Sequence, residues 1–233
     1  GKSISVFLSA SDFARLQQSG VRYEIEIDDW DGYYKNLPLL SESEKQATIS
    51  DSKTNFGVEG LTYGSMGGYY TYAEINAQLD SMKARFPNLI TSKINIGTSL
   101  EGRVIYAVKI SDNPDVSENE ARALYTAITH AREPGGMMTV MYYMFYLLEN
   151  YNTNPAVKYL VDNREIYFIP CVNPDGYEYN RSTNPNGGGM FRKNRRNNGS
   201  SYGVDLNRNF GPMAYWNAAG GGSSTIPSED DYR

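Results

Sequence analysis

The 233 residues include one cysteine, one histidine and two tryptophans, and nowhere a run of about 18 apolar residues. Each scarcity removes a class of protein. A single cysteine, Cys171, excludes an internal disulfide framework, and its place in the apolar run IYFIPCV makes it a small buried hydrophobe rather than a reactive thiol. Without a long apolar run there is no candidate membrane-spanning helix, and the opening GKSISVFLSASDF is not a signal peptide. One histidine gives imidazole chemistry a single address, His130. The 22 Lys and Arg against 27 Asp and Glu leave a net charge of -5, which does not suit a chain built to hold polyanions.

What is present suffices for a sizeable core: 40% hydrophobic residues over this length predict one large domain, or one domain with a smaller attachment. Ile4 to Leu8 reads as a strand, Ser9 and Asp12 start a helix, and Gly20 stops it. Val21, Tyr23, Ile25 and Ile27 then alternate with Arg22, Glu24, Glu26 and Asp28, the period of a strand. Residues 1–51 are expected to form a small α+β unit. Residues 52–68 lie in an acidic, Ser-rich and Gly-rich stretch and are expected to be a linker.

From residue 69 to 233 the pattern changes. Thr71 and Glu74 make a capping box, Ile75, Leu79, Met82 and Phe86 share one helical face, and Pro87 ends the helix. Strands follow around Lys93 to Ile96 and Val104 to Ile110, then at Leu124 to Ile128. A Met-rich and Tyr-rich helix runs from Glu133 to about Asn150, a second helix starts at Asn154–Pro155, and EIYFIPCV is a strand buried on both faces. This alternation predicts an α/β fold: a mixed, mostly parallel sheet with helices on both faces.

The lone histidine sits in THAREPGGMM, at the carboxyl end of a strand, where open α/β sheets place their ligand sites. A spacing of three lets His130 and Glu133 converge, and neutral imidazole with carboxylate is a zinc donor set. On its own the pair is weak evidence, and a buried or surface histidine beside a helix-starting glutamate is then the better reading. Further along, NPDGYEYN reads as a turn-rich strand exit. After it, Arg181, Arg192, Lys193, Arg195, Arg196 and Arg208 surround one acid, Asp205. A solvated charge run, a nucleic-acid patch and a pocket for a small carboxylate compete to explain that cluster. The acidic remainder disfavours nucleic acid, and Arg beside Asn near a metal suits a carboxylate and a developing oxyanion.

Taken in order, HARE, NPDGY, FRKNR and GVDLNRNF resemble the zinc carboxypeptidase family of the A and T type, most of all its bacterial T-like members. The resemblance implies zinc held by His130 and Glu133, and Asp205 accepting a hydrogen bond from His130. It gives Arg192 the oxyanion of the intermediate, Asn207 and Arg208 the terminal carboxylate of the substrate, and Arg132 a subsite beyond the scissile bond. It implies hydrolysis of the C-terminal peptide bond of peptides or proteins through a zinc-activated water, with no nucleic-acid or membrane partner, in a secreted or periplasmic setting. It also implies a second histidine ligand and a general-base glutamate that these residues do not carry. The expectation is therefore a catalytic domain truncated at Arg233, whose missing C-terminal half is a potential partner, preceded by an activation-domain-like unit. A catalytically silent metal and peptide-carboxylate binding module, or an amidase acting on cell-wall peptides, are the alternatives.

Overall fold

A computed structural model describes residues 3–8, 10–218 and 222–233. The chain divides into two compact units, Gly1–Asn36 and Leu37–Arg233.

In the first unit, α1 (Ala10–Ser19) and α2 (Trp30–Lys35) are the regular elements among the described residues. Gly20, with φ +73°, ends α1 as expected, whereas Ser9, the expected helix start, lies outside the described residues. The alternating stretches 4–8 and 21–28 form no strands. Ile4, Phe7, Val21 and Ile25 stay more than half exposed, so these stretches have the period of strands but no sheet to bury one face.

The second unit begins earlier than its sequence suggests. Helix α3 (Glu42–Phe56) occupies the end of the expected α+β unit and the start of the expected linker. Ser41 and Glu44 cap it reciprocally, and Gly57 closes it in the left-handed region at φ +64°. No residue of α3 is buried, so it lacks the apolar stripe by which a helix is read. Nor is the rest of 52–68 a free linker: Val58 and Met66 are core residues, and Glu149 and Asn150 bond the main chain at Phe56, Gly57, Glu59 and Gly60.

Helix α4 (Tyr72–Arg85) follows, with the Thr71–Glu74 capping box and Ile75, Leu79 and Met82 buried. The sheet has four strands, β1 (Ile94–Thr98), β2 (Val104–Ile110), β3 (Ala121–Thr126) and β4 (Arg164–Ile169), in the order β1-β2-β4-β3. It is mixed, as expected, but only β3 and β4 run parallel, and the β1–β2 and β2–β4 pairings are antiparallel. Val108, Ile110, Ile166 and Phe168 are buried on one face, and the partly exposed Tyr125 stacks its ring on Phe168 and packs against Tyr143 of α5 (Pro134–Asn150). Met137, Met141 and Met144 of α5 are fully buried, so its Met stripe is core packing. Cys171 is buried too, and that burial raises its thiol pKa.

Helix α6 (Pro155–Val161), capped by Asn154, precedes β4. NPDGYEYN is not a strand exit: Asn173 is the N-cap and Pro174 the first residue of α7 (Pro174–Thr183). A turn signal and a helix start share this chemistry, since Asn caps and Pro presets φ in both. No helix among the described residues is long and apolar enough to cross a membrane.

Candidate functional site

Because β3 and β4 are parallel, their carboxyl ends leave the sheet side by side. The pairing continues past the strands through Ala127 N–H to Ile169 O, Val172 N–H to Ala127 O and Asn173 N–H to Ile128 O. Ile128 has φ +50°, a costly conformation for a β-branched residue and the only positive φ outside glycine among the described residues. Two residues later the chain presents His130.

His130 is 7% exposed and engaged on both ring nitrogens. Its Nε2 lies 3.1 Å from Asp205 Oδ1 and its Nδ1 2.8 Å from Glu133 Oε1. Asp205 is fully buried. Burial pushes its pKa up, but the hydrogen bond from Arg192, the Asn207 N–H and the charges of Arg192 and His130 outweigh that and hold it below the usual value. In the tautomer that carries its proton on Nε2, the ring donates to Asp205 Oδ1 and its Nδ1 is an acceptor. In that tautomer Nδ1 and Oε1 of Glu133, 2.8 Å apart, are two acceptors that one cation can share. Imidazole and carboxylate are zinc donors, and a carboxylate behind the far ring nitrogen is the usual support of a ligating histidine. The donor chemistry fits zinc.

Arg192 joins the same carboxylate. Its Nε and Nη2 donate to Asp205 Oδ2 at 3.0 and 2.8 Å, and its Nη1 lies 3.9 Å from Glu133 Oε1. Asp205 also caps the 3₁₀ turn Leu206–Arg208, so GVDLNRN folds Asn207 and Arg208 back beside it. Arg208 Nε is 4.0 Å from Asp205 Oδ2, and its Nη1 donates to Asn207 O at 3.0 Å. Arg132 points elsewhere, donating to Asp230 Oδ2 at 2.9 Å and to Met190 O at 3.4 Å.

The six-cation cluster does not act as a unit. Lys193 is buried and gives Nζ to Pro227 O and Glu229 O; Arg181 pairs with Glu178, and Arg196 is exposed. Arg195 lies over the rings of Tyr179 at 4.0 Å and Tyr202 at 4.3 Å, a cation–π setting, with Glu101 at 3.5 Å. Only Arg192 and Arg208 turn toward Asp205. The one group of three metal-capable side chains among the described residues, Asp112, Glu118 and Glu120, follows β2 at the opposite end of the sheet.

The NPDG stretch supports the site from below. Asp175 accepts from Ser99, the Glu101 N–H and Arg103, fixing the β1–β2 turn. Gly176 allows α7 to lie against both site loops, since a Cβ there would come within 2.4 Å of Lys193 O and 2.8 Å of the Ala131 Cβ. None of this is readable from spacing, because the partners are distant in sequence.

Residues 75–233 match the zinc carboxypeptidase family. The chain belongs to that family. It is 33% identical over 214 residues to a zinc carboxypeptidase of Saccharothrix mutabilis subsp. capreolus, covering 91% of this chain and 45% of that one. Carboxypeptidase A2 of Mus musculus is 30% identical over 219 residues, covering 93% and 47%. Among solved structures, thrombin-activatable fibrinolysis inhibitor superposes with a TM-score of 0.63 at 25% identity over 80% of this chain and 45% of the other. The carboxypeptidase A of Helicoverpa armigera, at 24% identity, shares the fold with a TM-score of 0.67 over 94% of this chain and 49% of its own. The chain thus spans about half the length of the relatives it matches.

Proposed function

We propose that this chain is the zinc-binding and carboxylate-recognising part of a metallocarboxypeptidase that removes C-terminal residues from peptides or proteins outside the cytoplasm. The observation that carries the reading is the convergence of His130 Nδ1 and Glu133 Oε1, 2.8 Å apart, with Asp205 behind the ring and Arg192 beside it.

His130 and Glu133 would hold zinc. They are two of the three protein donors usual at a catalytic site, and the third comes from residues other than these, which include no second histidine. Bound zinc supplies a Lewis acid for the scissile carbonyl and a more acidic water. Asp205 fixes the tautomer of His130 and its orientation. Arg192 presents its guanidinium to charge developing on the carbonyl oxygen, and Asn207 with Arg208 holds the free carboxylate of the substrate, for which a planar fork of donors is suited. Arg132 would line a subsite beyond the scissile bond. Asp230, its partner here, would yield it to substrate.

The experiment uses the protein with its complete catalytic domain and a pair of peptides that differ only in a free or an amidated C-terminus. Chelator-sensitive release of the last residue from the free form alone supports the reading. Cleavage of both forms equally contradicts the carboxylate role and favours an amidase, and zinc binding with no turnover of either favours a silent binding module.

A further inference from the structure

Helix α7 carries two buried asparagines seven residues apart, about two helical turns, which sets them on one face. Asn173 is 2% exposed and Asn180 3%. Asn173 Nδ2 donates to Thr129 O at 3.4 Å and to Lys193 O at 3.0 Å, while its Oδ1 accepts from the Gly176 N–H. Asn180 Nδ2 donates to Ala131 O at 3.0 Å and to Phe191 O at 2.8 Å, while its Oδ1 accepts from the Phe191 N–H at 3.0 Å.

The partners form a pattern. One asparagine grips the residue before His130 and the residue after Arg192; the other grips the residue after His130 and the residue before Arg192. Between them Ala131 N–H bonds Arg192 O at 2.9 Å. Each side chain therefore spans both segments, and four carbonyls flanking the two functional residues are satisfied by two amide groups. The Asn173 main-chain N–H also holds the carbonyl of Ile128, the residue with a left-handed φ. A carbonyl taken out of water and left without a donor is unfavourable, so the two segments are held to this register.

We propose that Asn173 and Asn180 form a positioning clamp that sets the spacing between His130 and Arg192 across Asp205, and with it the distance between the metal-holding and the anion-stabilising sides of the site. This deepens the reading given under Proposed function and rests on the roles assigned there. Neither asparagine touches the reacting groups; both act through the main chain of their neighbours.

The test substitutes Asn173→Asp and Asn180→Asp in the chain labelled with ¹⁵N. Aspartate keeps the shape and the Oδ1 acceptor, including the helix cap, but sets an oxygen against two carbonyls where an amide donated. Tyr177→Phe is the control: it lies on the same helix and loses a buried bond to Tyr70 O, yet bonds neither segment. The readout is solvent exchange of the Arg192 Nε–H, identified by its loss in Arg192→Lys, together with thermal stability and zinc affinity by chelator competition. The clamp predicts that either Asp variant speeds that exchange at least about 10-fold and weakens zinc about 10-fold, while Tyr177→Phe changes neither by more than about 2-fold. Unchanged Arg192 exchange in both Asp variants overturns the proposal. So does a control that raises it as much at equal loss of stability, because the asparagines are then merely structural. If the Asp variants do not fold, Asn173→Ser and Asn180→Ser, too short to reach both carbonyls, carry the same comparison. A wild-type chain that binds no zinc defeats the functional reading instead, and leaves the clamp to be judged by the exchange alone.

Discussion

Asp205 and His130 lie 75 residues apart in sequence and 3.1 Å apart in space, with the carboxylate fully buried and its second oxygen held by Arg192. One carboxylate thereby orients the His130 ring and the Arg192 guanidinium together, and the predictions about the site follow from that sharing.

Asp205→Asn keeps an acceptor for His130 but removes the charge that Arg192 pairs with. Zinc affinity is expected to fall about 10–100-fold, the usual effect of losing the partner of a ligating histidine. Chelator competition measures it, and an unchanged affinity means that Asp205 does not support the ligand.

Arg192→Ala separates binding from chemistry. In the protein with its whole catalytic domain, zinc content stays intact while turnover falls about 100-fold or more, as for other oxyanion donors. Steady-state kinetics with metal analysis decide this. A variant of wild-type activity removes Arg192 from the role.

Acid stability reports on Glu165, on the sheet rather than in the site. Glu165 is fully buried. The Glu118 N–H, the Arg122 hydrogen bond and Lys109 lower its pKa to about 2 against the opposing effect of burial. A depressed carboxylate stabilises the fold above its unfolded pKa of about 4.3 and loses that contribution as pH falls toward the folded value. Thermal midpoints are therefore expected to drop steeply between about pH 4.5 and 2. In Glu165→Gln the fold is weaker throughout, and the drop is shallower; an identical pH slope in both proteins contradicts the assignment.

Among the described residues strand β3 ends the sheet with one side unpaired, and Leu124 and Tyr125 on it are 61% and 41% exposed. Long exposed apolar edges pair with other chains. Leu124→Lys should reduce concentration-dependent aggregation of this chain, as light scattering will show, and equal aggregation in both would place the liability elsewhere.

How much of this was legible follows from where each signal resides. The Thr71–Glu74 box, the Asn154–Pro155 start and the β2 pattern are local, so sequence reading finds them. Helix α3 escaped because it buries nothing, and α7 because Asn-Pro-Asp-Gly is also turn chemistry. His130, Glu133, Arg192 and Asp205 were recognisable as motif residues, and the structure brings them together. Their supports were not: the left-handed Ile128, the Lys193 bonds to Pro227 and Glu229, and the two asparagines act on main-chain atoms that no pattern of side chains reveals.

The most direct test of the account is the zinc affinity of the wild-type protein against His130→Ala and Glu133→Gln, by competition with a chromogenic chelator. The account predicts one zinc per wild-type chain and a loss in each variant larger than the roughly 10–100-fold of a supporting residue. Zinc bound equally well by all three proteins would contradict it.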